Sequence, residues 1–511
     1  MKNPTETWNN IWKHCKREWK LAFLSTFLVG LLCHMPIMLR DIPNHDGLAS
    51  MYFDQNMITS GRWFLTVACG VSSYYTLPWL IGLLAMLYLG IASALLVEFL
   101  EVRQGWAAAV IGGLLAVFPS LASTFAYVFT MDGYMLAVLL AVLAVLLTKK
   151  YRLGFLPGAL CLACSLGIYQ SYLPFAVLLC LYGIYMLGVS EGAVREKAKK
   201  GLAYVWMGGL GVASYYVVLQ ILLRIQGKEL ASYQGISGMG SVPRRGLAET
   251  VMQMYRDFLA FTLKGNVFMN NPFAWGAMIL LGICVLAVLF SLCGQKKWWK
   301  SPWFFAIIAV TVVGLPIAMN LIIVISPDVT YHLLMRYQWV LLPICMVAAV
   351  SRHSRRRPWA AWLALICGLV LAFNYGVMDQ IAYSNLEKKY EKTYAYCIRL
   401  LDRIEQTEGY YQGIPIAMIG VVGDQPYPVT DLTGEVTAGM IGMGGDSLLY
   451  TGANYQAFIQ NYLGATLNVL PPEAMEEMYY SEAYREMESF PGADSIRIID
   501  GVMYIKTENR E

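Results

Sequence analysis

Charge is scarce in this chain of 511 residues. Only 14% of its side chains are Asp, Glu, Lys or Arg, and 57% are hydrophobic, against about 25% charged in soluble proteins. Apolar runs long enough to cross roughly 30 Å of hydrocarbon recur along the sequence, which excludes an ordinary soluble protein. Motifs for nucleotide-driven and hydrolytic chemistry are missing: there is no P-loop, no zinc signature, no H-E-x-x-H and no G-x-S-x-G. Cysteine nearly vanishes after residue 377, where only Cys397 remains, so that region cannot form an internal disulfide. Cys161 and Cys164 make a C-x-x-C inside an apolar run with no second ligand pair, and read as small apolar filler rather than a metal site. No cleavable signal peptide is evident, and the first apolar run is expected to stay as an anchor.

What is present is a set of eleven candidate spans: 21–39, 72–97, 105–126, 132–148, 154–172, 173–190, 202–223, 273–293, 303–325, 337–350 and 359–377. With the N-terminus in the cytoplasm, the inner segments carry 20 Lys+Arg and the outer loops 9, the asymmetry that orients membrane proteins. An odd count places the C-terminal region outside. That region differs in kind: residues 1–377 carry a net +15 and residues 378–511 a net −11. It also has folding signals. Residues 384–410 have apolar positions at helical spacing, "GIPIAMIGVVG" reads as a buried strand, and "SIRIIDGVMYIKT" reads as a hairpin around Asp-Gly. The expected organisation is a polytopic α-helical membrane domain over 1–377 and an extracytoplasmic α/β domain over 378–511, in the plasma or inner membrane.

The first outer loop concentrates the chemistry. "RDIPNHDGLASMYFDQNMITSGRWF" presents Asp41, Asp46, Asp54, His45, Arg40 and Arg62 directly after the first span. Leu48, Met51, Tyr52 and Met57 suggest a helix in the interface, with Trp63 at interfacial depth. Asp132, in a minimal turn after the third span, is a second acid expected at the outer surface. Tyr169, Gln170, Gln234, Arg244, Arg245, Asp328, His332 and Arg336 complete an expected outer rim of carboxylates, amides, aromatics and guanidinium groups, a set that suits a sugar and a phosphate.

The segments around Asn44-His45-Asp46, Ser60-Gly61-Arg62-Trp63, Asp132, Gln170 and Gln234 resemble the bacterial membrane glucosyltransferases of O-antigen glucosylation, the Gtr type II family, which looks like part of the C-type glycosyltransferase superfamily. The resemblance covers roughly residues 20–240. It implies a GT-C-like fold, a polyprenyl-phosphate sugar donor (commonly glucose), an acceptor glycan of the cell envelope, and a catalytic first-loop Asp, here Asp46. The residues are compatible with that chemistry. A phosphate leaving group needs no protonation, so the reaction needs a base for the acceptor hydroxyl and cations for the phosphate. Asp46 suits the base, with Asp132 next. Arg62, Arg244, Arg245 and Arg336, in that order, suit the phosphate, with Asn44, His45, Tyr169, Gln170, Gln234 and His332 as further substrate contacts. Direct displacement with one base implies inversion. Tyr410, Tyr411 and Tyr427 are candidates for stacking an acceptor sugar. No cofactor is required; a divalent Mg or Mn fits beside Asp41, Asp46 and Asp132, but no ligand spacing demands it. No nucleic-acid partner is expected. The alternative is a transporter or flippase of lipid-linked saccharide. It calls for mid-membrane ionisable groups and half-helix repeats, and the spans' middles are almost free of charge.

Overall fold

The computed structural model describes residues 3–49, 57–231, 246–264, 267–296, 302–326, 329–353, 356–419, 440, 449 and 452–507. Among these, seven helices are long and apolar enough to cross a membrane: Arg17–Leu39, Pro78–Phe99, Val128–Lys150, Gln170–Val189, Val194–Gln226, Pro272–Gly294 and Pro358–Gln406. Four shorter apolar helices, Gly105–Val117, Phe155–Ile168, Trp303–Met319 and Tyr337–Ser351, stand where the other four spans were expected. Leu24, Leu28, Leu32, Phe290 and Phe373 are among many large apolar side chains left exposed on the helix surfaces. This is the outward face a bundle presents to lipid rather than to water.

Small residues set the closest approaches. At Gly112 a Cβ would lie 2.5 Å from the Ala22 carbonyl, and Thr26 Oγ1 instead donates to the Gly112 carbonyl at 3.0 Å. One end of the bundle is fastened by charge. Lys16 and Lys150 converge on Glu98, and Lys149 and Arg352 on Glu101.

The opposite end is where helices are interrupted. The expected span 105–126 breaks at Phe118, which takes an extended conformation ahead of Pro119 and restarts as Ser120–Phe125. A residue before proline is driven from the helical region for steric reasons. The tight connection between the expected spans 154–172 and 173–190 is made by extended Tyr169 and a 3₁₀ turn at Gln170–Tyr172. Further 3₁₀ turns fill Val128–Thr130, Leu333–Met335 and Tyr337–Val340. Trp339, Tyr337, Tyr172, Phe118 and Phe175 are fully buried around them.

The last long helix, Pro358–Gln406, has 49 residues, or about 75 Å at 1.5 Å per residue. It runs unbroken through the expected domain boundary at 377. Beyond it lies a four-stranded sheet, β1 (Pro415–Ile419), β2 (Asn468–Val469), β3 (Ile496–Ile499) and β4 (Val502–Lys506), in the order β2-β1-β4-β3. β1 pairs parallel with β2 and β4, and β3–β4 is an antiparallel hairpin. Both expectations for these strands hold. β1 is the buried centre, and the hairpin turns on Asp500 (φ 51°) and Gly501 (φ 78°), the two positive φ values a type I′ turn requires.

Candidate active site

Residues 40–49 cross from the first spanning helix to the short helix His45–Ala49. Asn44 caps that helix. Its Oδ1 accepts from Gly47 N at 2.7 Å, and its carbonyl from Leu48 N at 3.0 Å. The same side chain donates through Nδ2 to the Ala126 carbonyl at 2.9 Å, tying the loop to the end of the interrupted helix. Asn44 is buried, so it fixes the loop rather than facing a substrate. Asp46, two residues on, is exposed in the first helical turn, where free backbone N–H groups favour a carboxylate. The side chain of His45 and residues 50–56, with Asp54, lie outside the described residues.

The second half of the loop is a chain of turns held from below. Arg62 N donates to Met57 O at 2.6 Å and Phe64 N to Gly167 O at 2.7 Å. Gln170 Nε2 donates to Ser60 O at 3.0 Å and Tyr215 OH to Gly61 O at 3.0 Å, while Gln170 and Tyr215 bond each other at 2.9 Å. Gly61 has φ 76°, which glycine adopts without steric cost. The turn presents Arg62, whose guanidinium carbon lies 5.0 Å from the Tyr169 ring centroid. Tyr169 stacks on Tyr134 at 4.6 Å with 5° between planes. Arg62 and Asp46 both act electrostatically on the Tyr134 hydroxyl.

Several expectations change. Leu48 and Met57 are buried inside the protein rather than lying in an interface. Trp63 wedges against Gly167 and Tyr215. Tyr169 and Gln170 are buried, not rim residues. Asp132 is also not an exposed turn residue. It is 2% exposed in the first turn of Met131–Lys150, where Ser72 Oγ donates to Oδ1 at 2.7 Å and Gly133 N at 2.9 Å. The 3₁₀ turn at 128–130 absorbs the connection, and the helix begins early enough to take Asp132 inside.

Arg336 has a partner the sequence did not reveal. It is 7% exposed and forms a bidentate pair with Asp257, Nη1–Oδ2 at 2.7 Å and Nη2–Oδ1 at 2.8 Å. Phe261, Tyr331 and Trp339 pack around the guanidinium. His332 is half-buried at the start of the adjoining 3₁₀ turn. Gln234, Arg244, Arg245, Asp328 and Tyr427 lie outside the described residues.

The C-terminal region meets this end of the bundle. Tyr462 donates to Asp41 Oδ2 at 3.0 Å. Together with Pro43, Asn44, Thr76 and Phe129 these residues line a shallow recess with room for about one water. Burial pushes the Asp41 carboxyl above its ordinary range, partly countered by the Tyr462 bond. Tyr410 packs partly against the core, and Tyr411 is exposed. Asp41, Asp46 and Asp132 do not gather within reach of one ion. Sequence reasoning missed Tyr215, Asp257, Ser72 and Tyr462. Each acts across a sequence separation of 60 residues or more, and no local pattern marks it.

The arrangement offers an exposed carboxylate and a cation on an aromatic ledge, both fastened to buried polar clamps. The family model described as Glucosyl transferase GtrII matches residues 35–350, which takes in both loop halves, the interrupted helices and the Arg336 cage. No curated protein matches the chain.

Proposed function

The chain belongs to the GtrII glucosyl transferase family, and from that premise we propose that this membrane glucosyltransferase moves glucose from a polyprenyl-phosphate donor to an envelope glycan on the extracytoplasmic face, with inversion. The observation that carries the reading is Arg62 seated on the Tyr169–Tyr134 stack, in the same outer loop as the exposed carboxylate of Asp46. The acceptor hydroxyl gives its proton to the Asp46 carboxylate as its oxygen bonds the anomeric carbon. The bond from that carbon to the phosphate oxygen breaks, and the lipid phosphate leaves with the electron pair. Arg62 meets the charge growing on the phosphate, at a site where burial strengthens such an interaction. Tyr169, stacked on Tyr134, supports the Arg62 guanidinium from beneath. The buried pair Gln170 and Tyr215 acts as a positioning device for the Arg62 turn.

Two of the residues expected on substrate take other roles. Asp132, satisfied by Ser72 and Gly133, holds the start of its helix, and Arg336 is committed to Asp257. The test is transfer in proteoliposomes from radiolabelled undecaprenyl-phosphate-glucose to envelope glycan. Wild type labels the glycan; Asp46→Asn, folded as judged by gel filtration, loses at least about a hundredfold, within the 10²–10⁴ range of a general base. Full transfer by Asp46→Asn overturns the base assignment. Absence of transfer with any polyprenyl sugar, together with scrambling of the donor across the bilayer, would favour a flippase.

A further inference from the structure

Three side chains with metal-ligating atoms meet inside the bundle, away from the loop just described. The ligand atoms of Cys33, His34 and Asp379 lie within 4.8 Å of one another, and all three residues are buried. Cys33 and His34 are on the first spanning helix and Asp379 on the last. All three fall outside residues 35–350, the stretch matched by the family model.

The details point to an ion. His34 Nε2 lies 2.8 Å from the Ala116 carbonyl. A carbonyl only accepts, so Nε2 carries the proton and Nδ1 holds the lone pair. That is the outer-shell hydrogen bond that orients a metal-binding imidazole. Nδ1 meets the Tyr383 hydroxyl at 2.6 Å. Asp379 is 0% exposed. Its Oδ2 accepts from Cys33 Sγ at 3.1 Å, but its Oδ1 has no hydrogen-bond partner. No Lys or Arg pairs with it among the described residues. A buried carboxylate without a counter-charge is costly. A divalent ion held by one carboxylate and one thiolate is electrically neutral as a unit, and suits a low-dielectric interior. Gln380 Nε2 donates to the Cys33 carbonyl at 2.6 Å, fixing the backbone that carries two of the ligands. A recess of about 130 Å³, lined by Pro36, Arg40, Tyr383 and Glu387, opens against Tyr383.

We propose that Cys33, His34 and Asp379 form a buried zinc site that staples the first spanning helix to the last. A set of one S, one N and one O ligand suits Zn²⁺; the Tyr383 hydroxyl, which donates to His34 Nδ1 at 2.6 Å, gives up that lone pair to the ion. Binding releases the Cys33 thiol proton to solvent, so affinity rises with pH. The staple fixes the helix that leads directly into Asp41 and Asp46 against the helix that leads into the C-terminal sheet.

The test is metal content and titration of the full-length protein in detergent, with no activity needed. As purified, the protein carries about one zinc per chain by elemental analysis. After chelator treatment it takes up Zn²⁺ stoichiometrically, and Co²⁺ in its place gives thiolate-to-cobalt charge-transfer absorption. Cys33→Ser abolishes that absorption, and Asp379→Asn weakens zinc binding by at least about tenfold, the lower end of the loss seen even for outer-shell changes. Bound zinc also protects Cys33 from alkylation. The proposal is overturned if chelator-treated, monodisperse wild type takes up neither ion, or if Cys33→Ser binds zinc as tightly as wild type. Should the variants fail to fold, the cobalt spectrum and alkylation protection of wild type decide alone.

Discussion

Gly61→Ala tests the physics of the Arg62 turn. The glycine has φ 76°, and an alanine there costs about 1–2 kcal/mol for the left-handed conformation. The added Cβ would also strike Gln170 Nε2 and sit 2.7 Å from the Tyr215 hydroxyl. Moving Gln170 aside forfeits its bonds to Ser60 O and Tyr215 OH, about 0.5–1.5 kcal/mol each. The single variant should therefore lose about 2–5 kcal/mol. Gln170→Ala loses the same two bonds, about 1–3 kcal/mol, together with the packing of a buried side chain. In the double variant those bonds are lost once, not twice, and the clash with Gln170 is gone. A double-mutant cycle should show a coupling of about 1–3 kcal/mol, with the double variant more stable than additivity allows. The assay is unfolding of the purified protein in mixed micelles of increasing denaturing detergent, with transfer rate in parallel. Additive effects would mean that Gln170 does not bear on Gly61, and would refute the clamp. A Gly61→Ala protein as stable as wild type would refute the turn geometry itself.

Asp257→Asn should strand the Arg336 guanidinium, which is 7% exposed, at a cost of about 3–5 kcal/mol, seen as loss of monodisperse protein. Asp257→Leu combined with Arg336→Met should recover most of that yield, because neither buried charge remains. Tyr337→Phe removes the donor that reaches the Leu115 carbonyl at 2.6 Å and should lower stability by about 1–3 kcal/mol, with wild-type stability as the refuting result. Asp41 sets a pH dependence. Its carboxyl titrates above the ordinary value in the folded protein, so its contribution is full below the unfolded pKa and is lost as pH rises through the folded one. Asp41→Asn should flatten that part of the stability–pH curve between pH 4 and neutral, roughly; an unchanged curve would refute the assignment.

Much of the scaffold was legible because hydrophobic periodicity and length are local. All eleven expected apolar segments are helices or pairs of helices, β1 is buried, and the Asp500–Gly501 hairpin forms as its turn residues require. The site was legible only in outline. Asp46 and Arg62 stand out because charge next to an apolar run is conspicuous. Their surroundings are not, because Gln170, Tyr215 and Asn44 act through long-range bonds to backbone carbonyls at Ser60, Gly61 and Ala126. Asp132 misled for a related reason. A D-G pair after an aromatic run reads as a turn, but Ser72, 60 residues away, supplies a partner that makes burial affordable. Arg336 misled in the same way, since its partner Asp257 belongs to another helix.

The interruptions at the loop end share one solution to one problem. A helix that breaks inside apolar surroundings leaves carbonyls with no water to satisfy them. Pro119 has no N–H for Leu115 O, and the Tyr337 hydroxyl donates there instead. The next carbonyl, Ala116, receives His34 Nε2. Met319 O, where another helix stops, receives Tyr331 OH and Gln338 Nε2. Leu333 O receives Ser120 Oγ, and Ala126 O receives Asn44 Nδ2. Each donor lies outside the helix whose carbonyl it satisfies, so every break is stable only when its neighbour is in place. The polar residues at this end thus fall into two groups by what they touch. Those bonded to orphaned carbonyls hold the breaks open. Asp46 and Arg62, to which the proposed chemistry is assigned, bond to none of these carbonyls.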